Sequence, residues 1–316
     1  MIRRIAALIA ALALSVGAAQ AEPKRKIIVD DEGFQLMHLM LLADPTVEVL
    51  GLTTVSGNVW ANRATAMALK GLETAHRTDV PVVQGATDPL LDSGVLTDRW
   101  EALYGKLAWR GAWTKGGPGP NDPVDLPGGN PTTRASDEIA ANFLIRMVHT
   151  YPGEVTILAT GPFTNLALAQ RLDPSFAGSA KELVYMAGSL NPHQMLDDPS
   201  SAASAQDYTD APRREFNARF DPEAASIVSR APWKRIVAVP VDPSTATLLT
   251  PALRARLAER ASPGIAAFIT ALETGFPLWD EIAAAVWLDP SIVTQRETLF
   301  VDYDTAFSAG YGNMLS

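Results

Sequence analysis

Short, unbroken apolar runs alternate with longer amphipathic stretches along most of this chain. Ile27-Ile28-Val29, led by Lys26, reads as a strand and Phe34 to Ala43 as a helix. Val47 to Thr54 is a second strand, Asn58 to His76 a helix, and Pro81 to Gln84 a short strand. The rhythm returns with a helix from Ser136 to Thr150, a strand from Val155 to Ala159, a helix beginning at Thr164, a strand at Leu183 to Met186, a helix from Asp221 and a strand from Arg235 to Val239. Helical pattern resumes from Pro251 to Leu288 with a break at Phe276-Pro277, and Thr298 to Tyr303 is β-like. Continuously apolar strands joined by helices predict an α/β fold, with a mostly parallel central sheet and helices on both faces.

Two stretches break this order: Lys115 to Pro131 is dense in Gly and Pro, and Asn191 to Arg214 is polar throughout. In α/β domains such loops commonly border the ligand site. Ahead of the first strand, Arg3 and Arg4 precede the apolar run Ile5 to Val16, and Ala19-Gln20-Ala21 carries the small residues of a cleavage site. Residues 1–21 are therefore expected to be a secretory signal peptide, because the run is too short to span a bilayer. Residues 22–316 are expected to form one domain. It ends without a predicted closing helix or strand, as a C-terminally shortened chain would.

Composition narrows the classes. At 47% hydrophobic and 19% charged residues, the 316-residue chain is neither disordered nor a multi-span membrane protein. Its net charge of -9 becomes more negative once the two arginines of the leader are removed, which argues against binding nucleic acid or an anionic membrane surface. With no cysteine, an exported protein has no disulfides and must rest on an ordinary core. The expected location is the periplasm or the exterior.

Asp30-Asp31-Glu32-Gly33 follows the first strand directly, at the carboxyl end where open parallel sheets place their ligands. Three consecutive acids need a counter-charge to ionise together. A hard divalent cation such as calcium or magnesium would supply it, while helix capping by Asp30 or Asp31 is the plainer alternative. Thr54 to Asn58 follows the second strand, Thr160-Gly161-Pro162 follows the strand ending at Ala159, and Trp279-Asp280-Glu281 opens a late helix. Glu215-Phe216-Asn217 sets an acid and an amide two residues apart, suited to neighbouring hydroxyls if that segment is extended. Of the histidines, His38 lies in an apolar helix, His76 and His149 near helix ends face solvent, and His193 sits in the polar loop. Trp100, Tyr104, Trp109 and Trp113 form either a packed cluster or a wall of a pocket. No P-loop, GxGxxG or GxSxG is present.

Taken together, Asp30-Asp31-Glu32-Gly33, Val49 to Asn58, Ala159 to Ala167, Glu215-Phe216-Asn217 before Asp221-Pro222-Glu223-Ala224-Ala225, and Trp279 to Ala283 resemble the inosine-uridine-preferring nucleoside hydrolase family in order and spacing. The resemblance runs from about Lys26 to Tyr311. It implies a Rossmann-like, calcium-dependent N-ribohydrolase of nucleosides, forming a homo-oligomer, in which Ca2+ holds the ribose hydroxyls and a water. Carried over by position, Asp31 and Asp280 look like metal ligands and Thr160 like a backbone-carbonyl ligand. Asn58, Glu215 and Asn217 look like ribose contacts. In that chemistry the metal lowers the pKa of its water and a carboxylate takes the proton as the water attacks the anomeric carbon.

Two departures stand out. The family reads DTDPGIDD where this chain reads VDDEGFQL, so Gln35 and Leu36 stand in place of an acid pair. Asp30, Asp31 and Glu32 are then the candidate catalytic acids, with the base not assigned to one of them. Trp279 occupies a position commonly His, and an indole stacks on a base rather than donating a proton. The alternatives are a non-catalytic nucleoside- or ribose-binding protein of the same fold, or a hydrolase of another N-riboside such as nicotinamide riboside.

Overall fold

The computed structural model describes residues 23–190 and 214–316. The expected signal peptide, His193 and nearly all of the polar stretch lie outside the described residues. Six strands form one parallel sheet: β1 (Arg25–Asp31), β2 (Val47–Thr54), β3 (Val82–Gln84), β4 (Val155–Ala159), β5 (Glu182–Met186) and β6 (Ile236–Val239). Their order is β3-β2-β1-β4-β5-β6, every neighbouring pair parallel. This is the doubly wound arrangement, and the connection direction reverses between β1 and β4.

Strand alternation explains the two cores. Ile28, Ile157 and Leu183 face one layer, with Phe143 and Leu144 of α4 (Ala140–Thr150) and Leu166 of α5 (Thr164–Leu172). Ile27, Val29, Leu158 and Val184 face the other. There they meet Met37 and Leu41 of α1 (Leu36–Ala43), Leu69 and Leu72 of α2 (Ala61–Thr74), and Trp287 of α12 (Trp279–Leu288). Helices thus cover both faces, and strands buried on both sides carry the unbroken apolar runs read in the sequence.

Several elements differ from expectation. Helix α3 (Gly94–Tyr104) was not foreseen; the Ser93 side chain caps it by accepting from Leu96 N–H. The segment at Glu215 is not extended, because α7 (Phe216–Phe220) begins there and α8 (Pro222–Ser229) follows at once. The region 251–288 is divided among α10 (Pro251–Glu259), α11 (Pro263–Ala271) and α12, with a break between α11 and α12 that includes Phe276-Pro277. The β-like run shrinks to β7 (Asp302–Tyr303), which pairs antiparallel with β8 (Met314–Leu315), a strand that the sequence did not reveal. Among the described residues, two short α-helices, α6 (Phe176–Ser179) and α9 (Val241–Thr245), complete the set, with single 3-10 turns at Gly111–Trp113 and Pro290–Ile292.

Candidate active site

The carboxyl ends of β1 and β4 lie side by side at the reversal of strand order, and Asp30, Asp31 and Thr160 are placed there together. The Thr160 N–H donates to the Asp30 carbonyl at 2.9 Å, and the Val55 N–H to the Asp31 carbonyl at 3.1 Å. A Cβ on Gly161 would lie 3.5 Å from the Asp31 backbone, so the loop after β4 passes close against the end of β1.

Asp30 is sealed. Its Oδ1 accepts from Thr53 Oγ1 at 2.5 Å and from Asn165 Nδ2 at 2.8 Å. Complete burial outweighs those bonds and pushes its carboxyl up to about 7. Asp31, one residue on, is also buried, yet neither carboxylate oxygen has a hydrogen-bond partner. His38 Nε2 stands 3.7 Å from Asp31 Oδ2. The His38 Nδ1 accepts from Gln35 N–H at 3.0 Å, so the neutral ring carries its proton on Nε2, the nitrogen toward Asp31. Burial lowers the His38 pKa and favours that neutral form, and Phe34 stacks on the ring at 4.9 Å.

Asp280, in the first turn of α12, sits within the field of Asp31. Burial first, then repulsion from Asp31, Glu281 and Glu32, holds its carboxyl well above the usual range, against one hydrogen bond with Gln35. Glu281 accepts from Met37 N–H at 3.3 Å, and burial pushes it up to about 7. Leu36 packs instead into an apolar cluster with Leu249 and Ile269.

Glu32 turns toward the loop after β2. Its Oε2 accepts from Asn58 N–H at 2.9 Å and its Oε1 from Asn58 Nδ2, while Asn58 Oδ1 accepts from Trp109 Nε1 at 2.5 Å. Burial, followed by repulsion from Asp31, raises the Glu32 pKa well above the carboxylate range. Glu215 caps α7: its Oε1 accepts from Asn217 N–H at 2.8 Å and its Oε2 from the N–H groups of Ala218 and Gly188, each at 3.1 Å. Asn217 Nδ2 donates to the carbonyls of Thr160 at 2.9 Å and Met186 at 3.0 Å, tying α7 to the ends of β4 and β5. Trp279 donates from Nε1 to Thr245 Oγ1 at 2.9 Å and meets Phe276 edge-on at 5.2 Å.

The structure therefore joins Asp31 with Asp280, Glu32 with Asn58, and Thr160 with Asn217 and Glu215. Sequence reasoning placed His38 in the packed helix without its approach to Asp31, and left Trp109 between two roles. Within the aromatic group, Trp100 and Trp113 are buried, while Trp109 keeps 51% of its surface exposed. His76 is exposed, and His149 pairs with Asp173 at the surface.

The donor set suits a hard cation, with two carboxylates rather than a cage. Asp31 offers two buried oxygens without partners and Asp280 a carboxyl crowded by its charge. Among the described residues no three His, Cys, Asp or Glu side chains are grouped to hold a metal. A cation held by Asp31 and Asp280 would complete its shell with the Thr160 carbonyl, water and substrate oxygens.

The chain is similar to several known proteins. The chain is 39% identical over 206 residues to uridine nucleosidase 1 of Arabidopsis thaliana, covering 64% of this chain and 52% of that protein, and so spans about half the length of that plant relative. It is 25% identical over 309 residues to the pyrimidine-specific ribonucleoside hydrolase RihB of Escherichia coli, covering 92% and 86% respectively. The solved plant nucleoside hydrolase PpNRh1 shares the fold at a TM-score of 0.67 and 23% identity, covering 92% of this chain and 86% of that one. Matched across residues 27–316, the chain belongs to the inosine-uridine preferring nucleoside hydrolase family, whose members hydrolyse the N-glycosidic bond of ribonucleosides.

Proposed function

We propose that this chain splits a ribonucleoside into free base and ribose with Asp31 as the working carboxylate. The observation that carries the assignment is the contrast among the three acids. Asp30 is enclosed by Thr53 and Asn165, Glu32 is bound to Asn58, and only Asp31 keeps both oxygens without a partner. Asp31 accepts the proton of the attacking water, and the His38 Nε2–H behind it steadies its charge. Asp31, Asp280 and the Thr160 carbonyl would hold calcium, which when bound supplies an acidified water and a grip on the ribose hydroxyls. Asn217, with its amide nitrogen engaged by Thr160 and Met186, meets a ribose hydroxyl through Oδ1, beside Glu215. Asn58 meets the ribose from the opposite side. Oxygens gathered there favour the positive charge that develops on the sugar as the base leaves. Trp279 stacks on the base. The mature protein begins at Glu22, works in the periplasm or outside the cell, and assembles as a homo-oligomer.

A reducing-sugar assay over a panel of purine and pyrimidine nucleosides and nicotinamide riboside, in chelator and in calcium, tests the assignment. Calcium-dependent release of ribose is expected. Nucleoside or ribose binding by calorimetry with no sugar released from any substrate would instead make the chain a binding protein, the outcome favoured by Gln35 and Leu36 where the family has acids.

A further inference from the structure

We propose that Glu32 is a positioning residue for Asn58, and that Glu32, Asn58 and Trp109 form a hydrogen-bonded clamp fixing the β2 side of the nucleoside site. The proposal rests on the nucleoside hydrolase reading, which makes Asn58 a ribose contact. Glu32 stands where the family pattern has proline, so the clamp belongs to this chain's own sequence.

The chemistry of the three groups admits one arrangement. An indole N–H only donates, whereas an asparagine amide does both and could present either end. Glu32 accepts from both the backbone N–H and Nδ2 of Asn58, the amide nitrogen facing inward. Trp109 Nε1 then donates to the Oδ1 that remains. The amide is thereby held from both ends, and its orientation is set before any ligand arrives.

The backbone supports the same joint. Ala112 N–H donates to the Gly57 carbonyl at 2.8 Å, docking the Trp109 loop on the residue before Asn58. A Cβ at position 57 would overlap the Glu32 carboxylate, so the close approach needs glycine there. Glu32 is 4% exposed and Trp109 51%, so the chain of bonds runs from a buried anchor to a ring open to solvent. Closing the loop in this way leaves an aromatic surface beside the ribose contact.

The experiment compares Glu32→Gln, Asn58→Ala, their double variant and Trp109→Phe in the full chain. Glu32→Gln is expected to raise KM for a cleaved nucleoside about tenfold with kcat within about threefold. Asn58→Ala should do the same, and the double variant should be no worse than the poorer single, because coupled residues do not add. Trp109→Phe, which loosens the clamp from its exposed end, should raise KM about threefold. In a 1H–15N spectrum of the seven tryptophan indoles, the signal missing from Trp109→Phe should move in both Glu32→Gln and Asn58→Ala. A fall in kcat of about a hundredfold in Glu32→Gln, at unchanged KM and with the acid limb of the pH profile lost, would make Glu32 the base and overturn the proposal. Additive effects with an unmoved Trp109 signal would overturn it as well. Should wild type release ribose from no nucleoside, the functional reading fails, while the indole signal still decides the clamp without substrate.

Discussion

In β1 two aspartates stand side by side, and strand alternation turns them to opposite faces of the sheet. Asp30 looks toward Thr53 and Asn165, which both donate to it; Asp31 looks toward His38 and Asp280, which leave its oxygens unmatched. Both are buried to within 1% of completeness, so burial does not separate a structural acid from a reactive one. The partners do. A carboxylate with donors in place holds the fold together, whereas one enclosed without them waits for a cation, a water or a proton. Asp221 repeats the first case: wholly buried, it accepts from Thr164 Oγ1 at 2.6 Å, Leu90 N–H at 3.0 Å and Ala224 N–H at 3.1 Å.

Neutralising each aspartate in turn should separate the two most. Asp31→Asn should lower kcat by at least about a hundredfold with the fold intact by circular dichroism. Asp30→Asn should first cost stability, about 1–3 kcal/mol, read as a drop of a few degrees in Tm. Equal turnover in Asp31→Asn and wild type would end the distinction. Next in size is the metal. Chelation should abolish hydrolysis and added calcium restore it, and Asp280→Asn should weaken calcium binding by at least about tenfold in a calorimetric titration, since a charged ligand is lost.

Smaller effects are expected at Trp279 and Asp221. Trp279→Ala should raise KM about tenfold, within the roughly 1–3 kcal/mol range for stacking on a base, and Trp279→Phe should be milder. Unchanged kinetics would leave Trp279 as the partner of Phe276 and Thr245 alone. The smallest effect concerns a structural acid. Burial pushes Asp221 up to about 6 from 3.8, so between those values the folded state holds a proton that the unfolded state has released. Its contribution is therefore full below pH ~4, falls as the pH rises to about 6 and is gone above it, by on the order of 3 kcal/mol. Urea denaturation at several pH values should show that slope in wild type and lose it in Asp221→Asn, with turnover little changed.

The sheet was legible because its strands are buried on both faces and so cannot hide their apolar runs. The placement of the acids at the carboxyl end of β1 was legible for the same reason, since acids beside such a run must lie at its mouth. What stayed hidden depends on partners distant in sequence. The approach of His38 to Asp31 arises only when α1 folds back over β1. Asn58 and Trp109 meet across a loop with no regular period. Helix α3 carried its signal at Ser93, followed by Thr97, Trp100 and Glu101 on the buried side, but the flanking Gly and Pro obscured it. Glu215 is an unusual cap, which is why an extended segment was expected where α7 begins.

The bare Cα of Gly57 beneath Glu32 also ties two letters of the sequence together in inheritance. A side chain at 57 would displace the Glu32 carboxylate and also press on the ring of Pro162, so an acid at 32 and a larger residue at 57 cannot share this arrangement. Position 57 is therefore constrained from two sides, by the carboxylate at 32 and by the ring at 162, and a change at 32 alone does not free it.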